Sequence, residues 1–466
     1  MKFSNHFLYL IYYISTLKAG LVGWPYFWWH LKQRGQGESF LPRLGLCLPS
    51  EAPPEGSPRI WLHGVSVGEI LSALPLVEEL RKQLPGAGFI VSTGTETGQA
   101  LARRHFSPLG ACVCYFPLDV PWAVQGYLNR LRPEVFIALE SELWPNFLVS
   151  ARRRGVRLAL LNARLSDKSF RRYSRLRRLA LDLFNLFEII AAGSPQDYER
   201  LRRLGLPPDK VRLTGNLKID RLLAQRSRAA PLPSSVASGA EAGRGSKSQA
   251  EPSQEPLSAR WREVLNLRGE PVFLAASTHA GEEEAVLAAY RQLLAPCPSL
   301  LLILAPRHPE RAGEVGRLVA REGWGFQLWR RLKEGQETRT QPVVVVDTIG
   351  DLMGLYRVAD VAFVGGSLVP HGGQNILEPA AWGVAPLYGP HLSNFLWARD
   401  ILEAAGAGLL VRDADTLAAA ARNLLEHPEL RQELGSRALT SLLPHQGAAA
   451  RQAELVVQLL SGAGKS

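Results

Sequence analysis

Short aliphatic runs alternate with helix-compatible stretches along most of this chain, and that alternation restricts what it can fold into. The first half contains IWLH (60–63), FIVST (89–93), CVCYF (112–116), VFIAL (135–139), LALLN (158–162), EIIAA (188–192) and VRLTG (211–215). The second half contains VFLAAS (272–277), LLLILAP (300–306), VVVVD (343–347), VAFVGG (361–366) and APLYG (385–389). Strands that alternate with helices form parallel sheets covered by helices. The sequence therefore predicts two Rossmann-like α/β domains.

The two sets of runs are separated by residues 227–258, which are rich in Ala, Ser, Gly and Pro and contain almost no large apolar side chain. Such a composition is typical of a linker or an insertion. We therefore expect one Rossmann-like domain at 36–226, a low-complexity linker at 227–258 and a second Rossmann-like domain at 259–466. Two such domains facing a cleft form the GT-B architecture of glycosyltransferases, although a dehydrogenase shows a similar alternation.

The turns that follow the first strand of each half argue against a dehydrogenase. HGVSVGE (63–69) and ASTHAGEEE (276–284) both lack the GxGxxG pattern that brings the backbone close to a pyrophosphate. The chain contains no Walker A sequence either. We therefore predict no dinucleotide cofactor.

The N-terminal residues 1–35 are predicted to associate with a membrane. Residues 7–30 are dense in Leu, Ile, Tyr and Trp, with Lys18 as the one unambiguous charge, so a tilted span and an interfacial helix both fit. No small-residue cleavage site follows, which favours an uncleaved anchor. The positive charges at 32–43 outnumber Lys2 and favour a cytoplasmic body. The four cysteines form no CxxC pair, which also indicates a reducing compartment and no zinc site.

The basic excess of the chain, +11, is concentrated in one segment. Between Arg152 and Arg178 stand ten arginines and one lysine against the single acid Asp167, a local charge of +10. Such a segment is either a solvated helical face or a surface for phosphates on nucleic acid, lipid head groups or a phosphorylated substrate. Recognition of nucleic acid by stacking needs interleaved aromatic residues, and only Phe170 and Tyr173 qualify.

Polar residues collect where the predicted strands end, which is where open parallel sheets bind their ligands. In the first half these residues are Ser66, Glu69, Thr93, Thr95, Glu140, Glu142, Asn162, Ser194, Asn216 and Lys218. Glu69 lies at a helix start, so it is either a capping residue or a general base. Glu140 ends a buried strand and needs a partner, which Lys218 can supply unless that lysine is simply exposed.

The second half contains residues that either bind an anion or have a purely structural role. Arg307 follows the strand LLLILAP, where it either contacts a phosphate or pairs with Glu310. The sequence from Asn375 to Glu378 has the spacing of a capping box with Asn375 as N-cap. Paired glycines precede it and suit a backbone anion site, and Glu378 can accept hydrogen bonds from a ribose diol.

Many separate motifs together resemble those of the 3-deoxy-D-manno-octulosonic acid (Kdo) transferases of lipopolysaccharide assembly, over nearly the whole body of the chain. The matching stretches are WLHGVSVGE (61–69), FPLDVPWAV (116–124), ESELWPN (140–146), NARLSDKSFRRY (162–173), TGNLKID (214–220), STHAGEEE (277–284), APRHPER (305–311), DTIGDL (347–352) and GGQNILEPAAWGVAPLYGPHLSNF (372–395). Three features depart from the family pattern. They are HGV where HAV is usual, GGQN where GGHN is usual, and the low-complexity insertion.

The resemblance implies an inverting, metal-independent transfer of Kdo from cytidine monophosphate-Kdo (CMP-Kdo) to the 6′ hydroxyl of the lipid A precursor lipid IVA. CMP-Kdo is the donor substrate, and no cofactor is implied. The family's proton acceptor falls on Glu69, and its transition-state-supporting positions fall on Glu140 and Lys218. The CMP contacts fall on Pro306, Arg307, Ile349, Gly350, Asp351, Asn375, Ile376, Leu377 and Glu378.

The resemblance also implies a place of action, the cytoplasmic face of the inner membrane, with anionic lipids and no nucleic acid as partners. It specifies neither the number of Kdo units nor the oligomeric state. Two other classes stay open at this point. One is another GT-B enzyme, such as a lipid A disaccharide synthase or a UDP-sugar 2-epimerase. The other is a non-catalytic, membrane-tethered binder of phosphate or nucleic acid.

Overall fold

The computed structural model describes residues 6–33, 37–49, 55–229 and 257–462. The chain forms two compact units. The first unit comprises Met1–Arg221 together with His445–Ser466, and the second comprises Leu222–Pro444. Each unit is built around one seven-stranded sheet, and all of the strand pairs in both sheets are parallel.

The first unit alternates strands and helices after a helical N-terminus. Its strands are β1 Arg59–His63, β2 Gly88–Thr93, β3 Cys112–Tyr115, β4 Val135–Leu139, β5 Arg157–Ala163, β6 Ile189–Ala192 and β7 Val211–Leu213. Its helices are α1 His6–Val22, α2 Trp24–Gln33, α3 Phe40–Arg43, α4 Val67–Ser72, α5 Leu74–Gln83, α6 Glu96–Phe106, α7 Pro121–Leu131, α8 Pro145–Arg153, α9 Asp167–Arg175, α10 Arg177–Phe184 and α11 Pro195–Leu204. Helix α12, Leu217–Ala229, continues into the second unit.

The second unit repeats this pattern. Its strands are β8 Val272–Thr278, β9 Leu301–Pro306, β10 Phe326–Leu328, β11 Val343–Val345, β12 Val361–Val364, β13 Pro386–Tyr388 and β14 Leu409–Leu410. Its helices are α13 Leu257–Val264, α14 Glu282–Leu293, α15 Ala312–Arg321, α16 Trp329–Lys333, α17 Leu352–Leu355, α18 Leu377–Ala381, α19 Leu396–Ala404, α20 Ala414–Glu426 and α21 Pro428–Thr440. The last helix of the chain, α22 Ala448–Ser461, belongs to the first unit.

The strand order gives each sheet one point where the winding reverses. The first sheet has the order β3-β2-β1-β4-β5-β6-β7, and the second has the order β10-β11-β9-β8-β12-β13-β14. The chain therefore winds to one side of β1 and then restarts with β4 on the other side, and β8 and β12 are related in the same way. Ligands of open parallel sheets bind at the carboxyl ends of the strands that flank such a switch point.

All of the strands predicted from the aliphatic runs are present, which confirms the two parallel α/β domains. Strands such as β4 and β9 are buried along their whole length, because helices cover both faces of the sheet. Burial on both faces explains why these strands appear in the sequence as continuous apolar runs rather than as alternating patterns. Two edge strands, β10 and β14, were not predicted.

Helix α22 belongs to the first unit, whereas the boundary predicted from the sequence gave all of residues 259–466 to the C-terminal domain. Its Val456 and Leu459 join the apolar core that includes Leu76 of α5 in the first unit. The carboxylate of Asp220 also accepts hydrogen bonds from the backbone N–H groups of Gly447 and Ala449, at 2.7 and 2.6 Å. The apolar periodicity of a helix shows that it covers a sheet but does not show which sheet.

The predicted linker lies mostly outside the described residues, which omit 230–256. Residues 227–229 complete α12, and residues 257–258 begin α13. Among the described parts of the chain, no helix is both long enough and apolar enough to cross a membrane.

Helix α1 is attached to the first unit by polar contacts on one face. The hydroxyl of Tyr12 donates to Asp119 at 2.9 Å, and the side-chain amide of Asn146 donates to the hydroxyl of Thr16 at 2.8 Å. Asp119 also accepts hydrogen bonds from the backbone N–H groups of Asn146 and Phe147 at the start of α8. Other positions on α1 and α2 expose large apolar side chains, which are Leu10, Ile11, Tyr13, Ile14, Leu21, Val22, Trp24, Tyr26, Trp28 and Trp29.

Candidate active site

Glu69 lies at the switch point of the first sheet, in the first turn of the helix that follows β1. Ser66 is the N-cap of α4, and its hydroxyl accepts a hydrogen bond from the backbone N–H of Glu69 at 3.2 Å. The Glu69 carboxylate in turn accepts hydrogen bonds from the Ser66 hydroxyl at 2.7 Å and from the Val65 N–H at 2.9 Å. The capping role considered from the sequence is therefore present, and it also fixes the orientation of the carboxylate.

Glu140 lies on the other side of the switch point, directly after β4. Its backbone has a φ of 58°, in the left-handed region that a non-glycine residue rarely adopts. The ammonium of Lys218 donates to one of its carboxylate oxygens at 2.6 Å, and the Arg164 guanidinium lies 3.8 Å from the other. Only 8% of Glu140 is exposed, so two cations compensate a nearly buried charge. The structure thus confirms the predicted pairing of Glu140 with Lys218.

Lys218 is held in place by the residues at the ends of β5 and β7. The Asn216 side chain accepts a hydrogen bond from the Lys218 backbone N–H at 3.0 Å, and the Asn162 side chain accepts one from Leu217 N–H at 3.0 Å. Both asparagines are buried. They therefore serve the start of α12, and they set the direction in which the Lys218 side chain leaves the helix.

Burial raises the pKa of Glu69 above its ordinary value, and the negative charge of Glu140 raises it further. Hydrogen bonds from Ser66 and Val65 and the charge of Lys218 act in the opposite direction. A carboxylate whose pKa is raised is a stronger base than an exposed glutamate. The fold therefore brings the three residues Glu69, Glu140 and Lys218 together in an arrangement suited to proton abstraction.

A second acid and a histidine lie beside this group. Burial, followed by the charge of Glu69, raises the pKa of Glu142 to about 7. Burial lowers the pKa of His63 to about 3, so this imidazole is neutral. Its ring is stacked on Phe116 at 3.8 Å between centroids, and its Nε2 lies 3.9 Å from Glu142. The sequence analysis gave no role to His63 and treated Arg164 only as part of the basic segment, because the sequence does not show that these side chains lie beside Glu142 and Glu140.

In the second unit, the predicted nucleotide contacts lie directly after β9, in the loop after β11 and at the start of α18. Pro306 is the last residue of β9, and Arg307 follows it with an exposed side chain. Ile349, after β11, is 76% exposed and lines a cavity of about 800 Å³. Arg330 and Lys333 line the same cavity. The cavity is also lined by the acids Glu310, Glu334 and Asp347, whereas Pro306 and Arg307 are not among its lining residues.

Asp351 is committed to the protein itself. Its carboxylate accepts hydrogen bonds from Lys333 at 2.7 Å, from Thr348 at 2.6 Å and from the indole of Trp329 at 3.1 Å. Burial alone would raise the pKa of Asp351, but these hydrogen bonds lower it below its ordinary value. Asp351 thus keeps its charge and fixes the loop that carries Ile349 and Gly350, whose φ of 96° lies in the left-handed region.

The predicted capping box at Asn375 is not formed. Helix α18 spans only Leu377–Ala381, and its N-cap is Ile376, which provides no side-chain cap. The Asn375 side chain accepts a hydrogen bond from Leu377 N–H at 3.3 Å, while Glu378 lies in the first turn. The helix therefore begins one residue later than the capping-box spacing predicted, at Leu377 rather than at Ile376.

The basic segment at 152–178 divides into structural and exposed members. Arg164 contacts Glu140, Arg152 pairs with Glu188, and the Arg177 guanidinium donates to the Leu204 carbonyl at 2.7 Å. The exposed members are Arg153, Arg154, Lys168, Arg171, Arg172, Arg175, Arg177 and Arg178, and among these Arg177 also makes the contact with Leu204. The single acid of the segment, Asp167, is paired with Arg200 at 2.6 Å. Most of the charge on α9 and at the start of α10 therefore faces solvent.

The described residues contain no group of three or more His, Cys, Asp or Glu side chains that is arranged to hold a metal ion. Two parallel α/β units with polar groups at their switch points define a protein of the GT-B type. The UDP-N-acetylglucosamine 2-epimerase of Neisseria meningitidis bound to UDP-GlcNAc shares this fold, with a TM-score of 0.57 at 12% identity over 87% of this chain and 100% of that one.

Comparison of the sequences identifies the family. Residues 38–221 match the family described as 3-deoxy-D-manno-octulosonic-acid transferase (kdotransferase). The 3-deoxy-D-manno-octulosonic acid transferase of Haemophilus influenzae is 33% identical over 405 residues, which cover 87% of each chain. That of Bordetella pertussis is 31% identical over 453 residues, covering 95% of this chain and 97% of its own. This chain therefore belongs to the 3-deoxy-D-manno-octulosonic acid transferases of lipopolysaccharide biosynthesis, as the sequence motifs indicated.

Proposed function

We propose that this protein transfers Kdo from CMP-Kdo to the 6′ hydroxyl of lipid IVA, with inversion at the anomeric carbon and without a bound metal or cofactor. Membership of the family supports the transfer of Kdo. The observation that carries the mechanism is the grouping of Glu69 with the Glu140–Lys218 pair at the switch point of the first sheet.

Glu69 acts as the general base in this proposal. The 6′ oxygen of the acceptor attacks the anomeric carbon of Kdo while its proton passes to the Glu69 carboxylate. The new carbon–oxygen bond forms as the bond from that carbon to the CMP phosphate breaks, and the electron pair of that bond leaves with CMP. A primary hydroxyl is a poor nucleophile, and a positioned base contributes about 10²–10⁴-fold to such a step.

Glu140 and Lys218 tune and support this base. Glu140 raises the pKa of Glu69, while Lys218 lowers it and neutralises Glu140. The pair therefore keeps Glu69 basic without burying an uncompensated charge. Because Lys218 is partly exposed, its ammonium can also contact the negative charge that develops on the reactants.

The second unit holds the donor in this proposal. The exposed guanidinium of Arg307 suits the CMP phosphate, and its positive charge stabilises that phosphate as the leaving group without a metal. The cavity beside Ile349 suits the remainder of the nucleotide. Asp351 supports this site indirectly, since it fixes the loop of Ile349 and Gly350.

The acceptor and the membrane are assigned to the first unit. The exposed arginines of α9 and α10 suit the two phosphates of the lipid, and the exposed apolar side chains of α1 and α2 suit the acyl region of a membrane surface. Tyr12 and Thr16 attach α1 to the first unit, which favours an interfacial helix. We place the protein at the inner membrane, with its two units on the cytoplasmic side and anionic lipids as its partners.

The test is incubation of the protein with CMP-Kdo and lipid IVA, followed by mass spectrometry of the lipid. We expect a product heavier than lipid IVA by one or more Kdo residues. In parallel, CMP should raise the melting temperature of the protein more than UDP does. Protection by UDP rather than CMP, with no change in the lipid, would contradict the proposal and favour a UDP-sugar enzyme of the same fold.

A further inference from the structure

Three histidines meet at the switch point of the second sheet, and the proposed mechanism does not use them. His279 follows β8, His308 follows β9 and Arg307, and His371 lies in the loop after β12. The rings of His279 and His371 are stacked at 4.3 Å between centroids, and His308 meets His279 edge-on at 6.0 Å. The Gln374 amide lies 3.5 Å from Nε2 of His279. These four side chains form the histidine cluster.

A buried glutamate builds the platform that carries the histidine cluster. Glu282, which is fully buried, accepts hydrogen bonds from the backbone N–H groups of His279, Gly366, Ser367 and Leu368, at distances from 2.6 to 2.9 Å. Its two oxygens thereby join the end of β8 to the end of β12. The carboxylate is fully used by the backbone and is not directed at the imidazoles.

Gly366 allows the loop to approach His279 closely. Its φ is 67°, and a Cβ at this position would lie 3.3 Å from the His279 ring and 3.5 Å from the Gln374 amide. The loop after β12 is therefore packed against His279 without an intervening side chain. Together with Glu282, this close contact fixes His279 as the rigid centre of the histidine cluster.

The cluster presents nitrogen groups and little negative charge. Burial lowers the pKa of His279, and the neighbouring His371 lowers it further, while Glu282 acts in the opposite direction. Of the acids near the cluster, Glu310 lies 3.5 Å from Nδ1 of His308, and both of these side chains are exposed. His371 and Arg307 are both exposed. Imidazole N–H groups and a guanidinium in one place favour a small anion, above all a carboxylate or a phosphate.

We propose that the histidine cluster binds the carboxylate of the Kdo moiety of the donor. This inference rests on the proposed function and adds a subsite to it. In CMP-Kdo, the carboxylate and the phosphate are attached to the same anomeric carbon, so their sites must be neighbours. Arg307 and His308 are adjacent in the chain, which brings the predicted phosphate contact next to the cluster.

The positions of the strands explain why the cluster suits the sugar rather than the nucleotide. The cavity beside Ile349 lies after β11, two strands away from β8 in the sheet order. The histidine cluster lies after β8, β9 and β12, at the switch point itself. A donor that reaches from one to the other crosses Arg307 after β9. The nucleotide, the phosphate and the carboxylate then meet successive strand ends.

The test compares a ligand that has the carboxylate with one that lacks it. His279→Phe and His371→Phe keep an aromatic ring in the stack but remove its nitrogens. The control, His427→Phe, makes the same change at an exposed histidine between α20 and α21. For each variant we would measure the KM for CMP-Kdo in the lipid IVA assay and the Kd for CMP by calorimetry, with the melting temperature as a check on folding.

We expect His279→Phe and His371→Phe each to raise the KM for CMP-Kdo about tenfold, the loss of one hydrogen bond to a charged group, and to leave the Kd for CMP unchanged. His427→Phe should change neither. An equal loss of affinity for CMP would assign the cluster to the phosphate and overturn the proposal, and so would an unchanged KM. Failure of the proposed function would be recognised separately, because the unmodified protein would then transfer no Kdo.

Discussion

The ammonium of Lys218 lies 2.6 Å from a carboxylate oxygen of Glu140, and both groups act electrostatically on Glu69. Lys218 lies in the first turn of α12 after β7, Glu140 follows β4, and Glu69 lies in the first turn of α4 after β1. Three parts of the chain thus contribute to one acid–base group. The charges of Lys218 and Glu140 have opposite effects on the pKa of Glu69, and this difference can be measured.

Removing the charge of Lys218 and removing the charge of Glu140 should therefore shift the acid limb of the pH–activity profile in opposite directions. Glu69 must be deprotonated to accept a proton, so activity falls as the pH drops through its raised pKa. Lys218→Met removes a charge that lowers this pKa, so the limb should move to higher pH. Glu140→Gln removes a charge that raises it, so the limb should move to lower pH. The measurement is kcat/KM against pH on the residual activity.

Lys82→Met is the matched control for the lysine substitution. Lys82 is an exposed residue of α5 that pairs with Glu79 at 3.1 Å. Its replacement should leave the profile in place. If Lys218→Met and Glu140→Gln moved the limb in the same direction, the profile would report general damage to the site rather than the titration of Glu69.

Glu69→Gln should lower kcat by about 10²–10⁴-fold, because the amide cannot accept the acceptor proton. The Kd for CMP should not change, since the residues assigned to CMP belong to the second unit. Steady-state kinetics and calorimetry check the two parts of this prediction. Glu79→Gln is the control, an equivalent change on the surface of α5. Near-normal turnover in Glu69→Gln would remove this residue from the mechanism.

Much of the fold was predictable because the central strands of both sheets are buried on two faces. Their apolar runs are continuous and were recognised directly, as in Val135–Leu139. Strand β10 was missed because Phe326, Gln327 and Leu328 are only half-buried, and β14 because it contains only Leu409 and Leu410. The location of α22 was missed because it depends on its packing against α5, which local sequence does not encode.

The site was predictable only in part, for a related reason. Strand ends collect at one edge of a parallel sheet, so Glu69, Glu140 and Lys218 were expected there. The contribution of Arg164 depends on its distance of 3.8 Å from Glu140, and that distance follows from the register of β4 and β5. The histidine cluster was missed because its members lie far apart in the sequence. They meet only when β8, β9 and β12 pair.

The contact between Tyr12 and Asp119 should determine how firmly α1 is attached to the first unit. Burial raises the pKa of Asp119 to about 6, and the Tyr12 hydroxyl is one of three donors to its carboxylate. Tyr12→Phe removes that donor, and hydrogen bonds to charged groups contribute about 1.5–3 kcal/mol. We expect the α1 amides to exchange hydrogen for deuterium faster in this variant.

Tyr13→Phe is the matched control, because the neighbouring Tyr13 is exposed and makes a ring contact with Tyr9. Exchange in α1 should be unchanged in Tyr13→Phe. The pH dependence of the free energy of unfolding gives a second measurement. The raised pKa of Asp119 means that its contribution to stability is complete below its unfolded pKa and is lost as the pH rises through about 6. Asp119→Asn should remove this component of the pH dependence. Equal rates of α1 amide exchange in Tyr12→Phe and Tyr13→Phe would show that the Tyr12 contact does not hold the helix.

The exposed arginines of α9 and α10 allow the assignment of the acceptor to the first unit to be tested. The variant replaces four of them by alanine, namely Arg171, Arg172, Arg175 and Arg178. Each basic residue near an anionic surface contributes on the order of 1 kcal/mol, and salt screens this contribution. We therefore expect weaker binding to anionic vesicles and a higher KM for lipid IVA, with differences from the unmodified protein that narrow as salt is added. The KM for CMP-Kdo should stay the same.

A control with the same change in charge replaces exposed arginines of the second unit, namely Arg321, Arg412, Arg422 and Arg437. A loss of donor affinity with normal use of the lipid would show instead that these arginines serve the nucleotide.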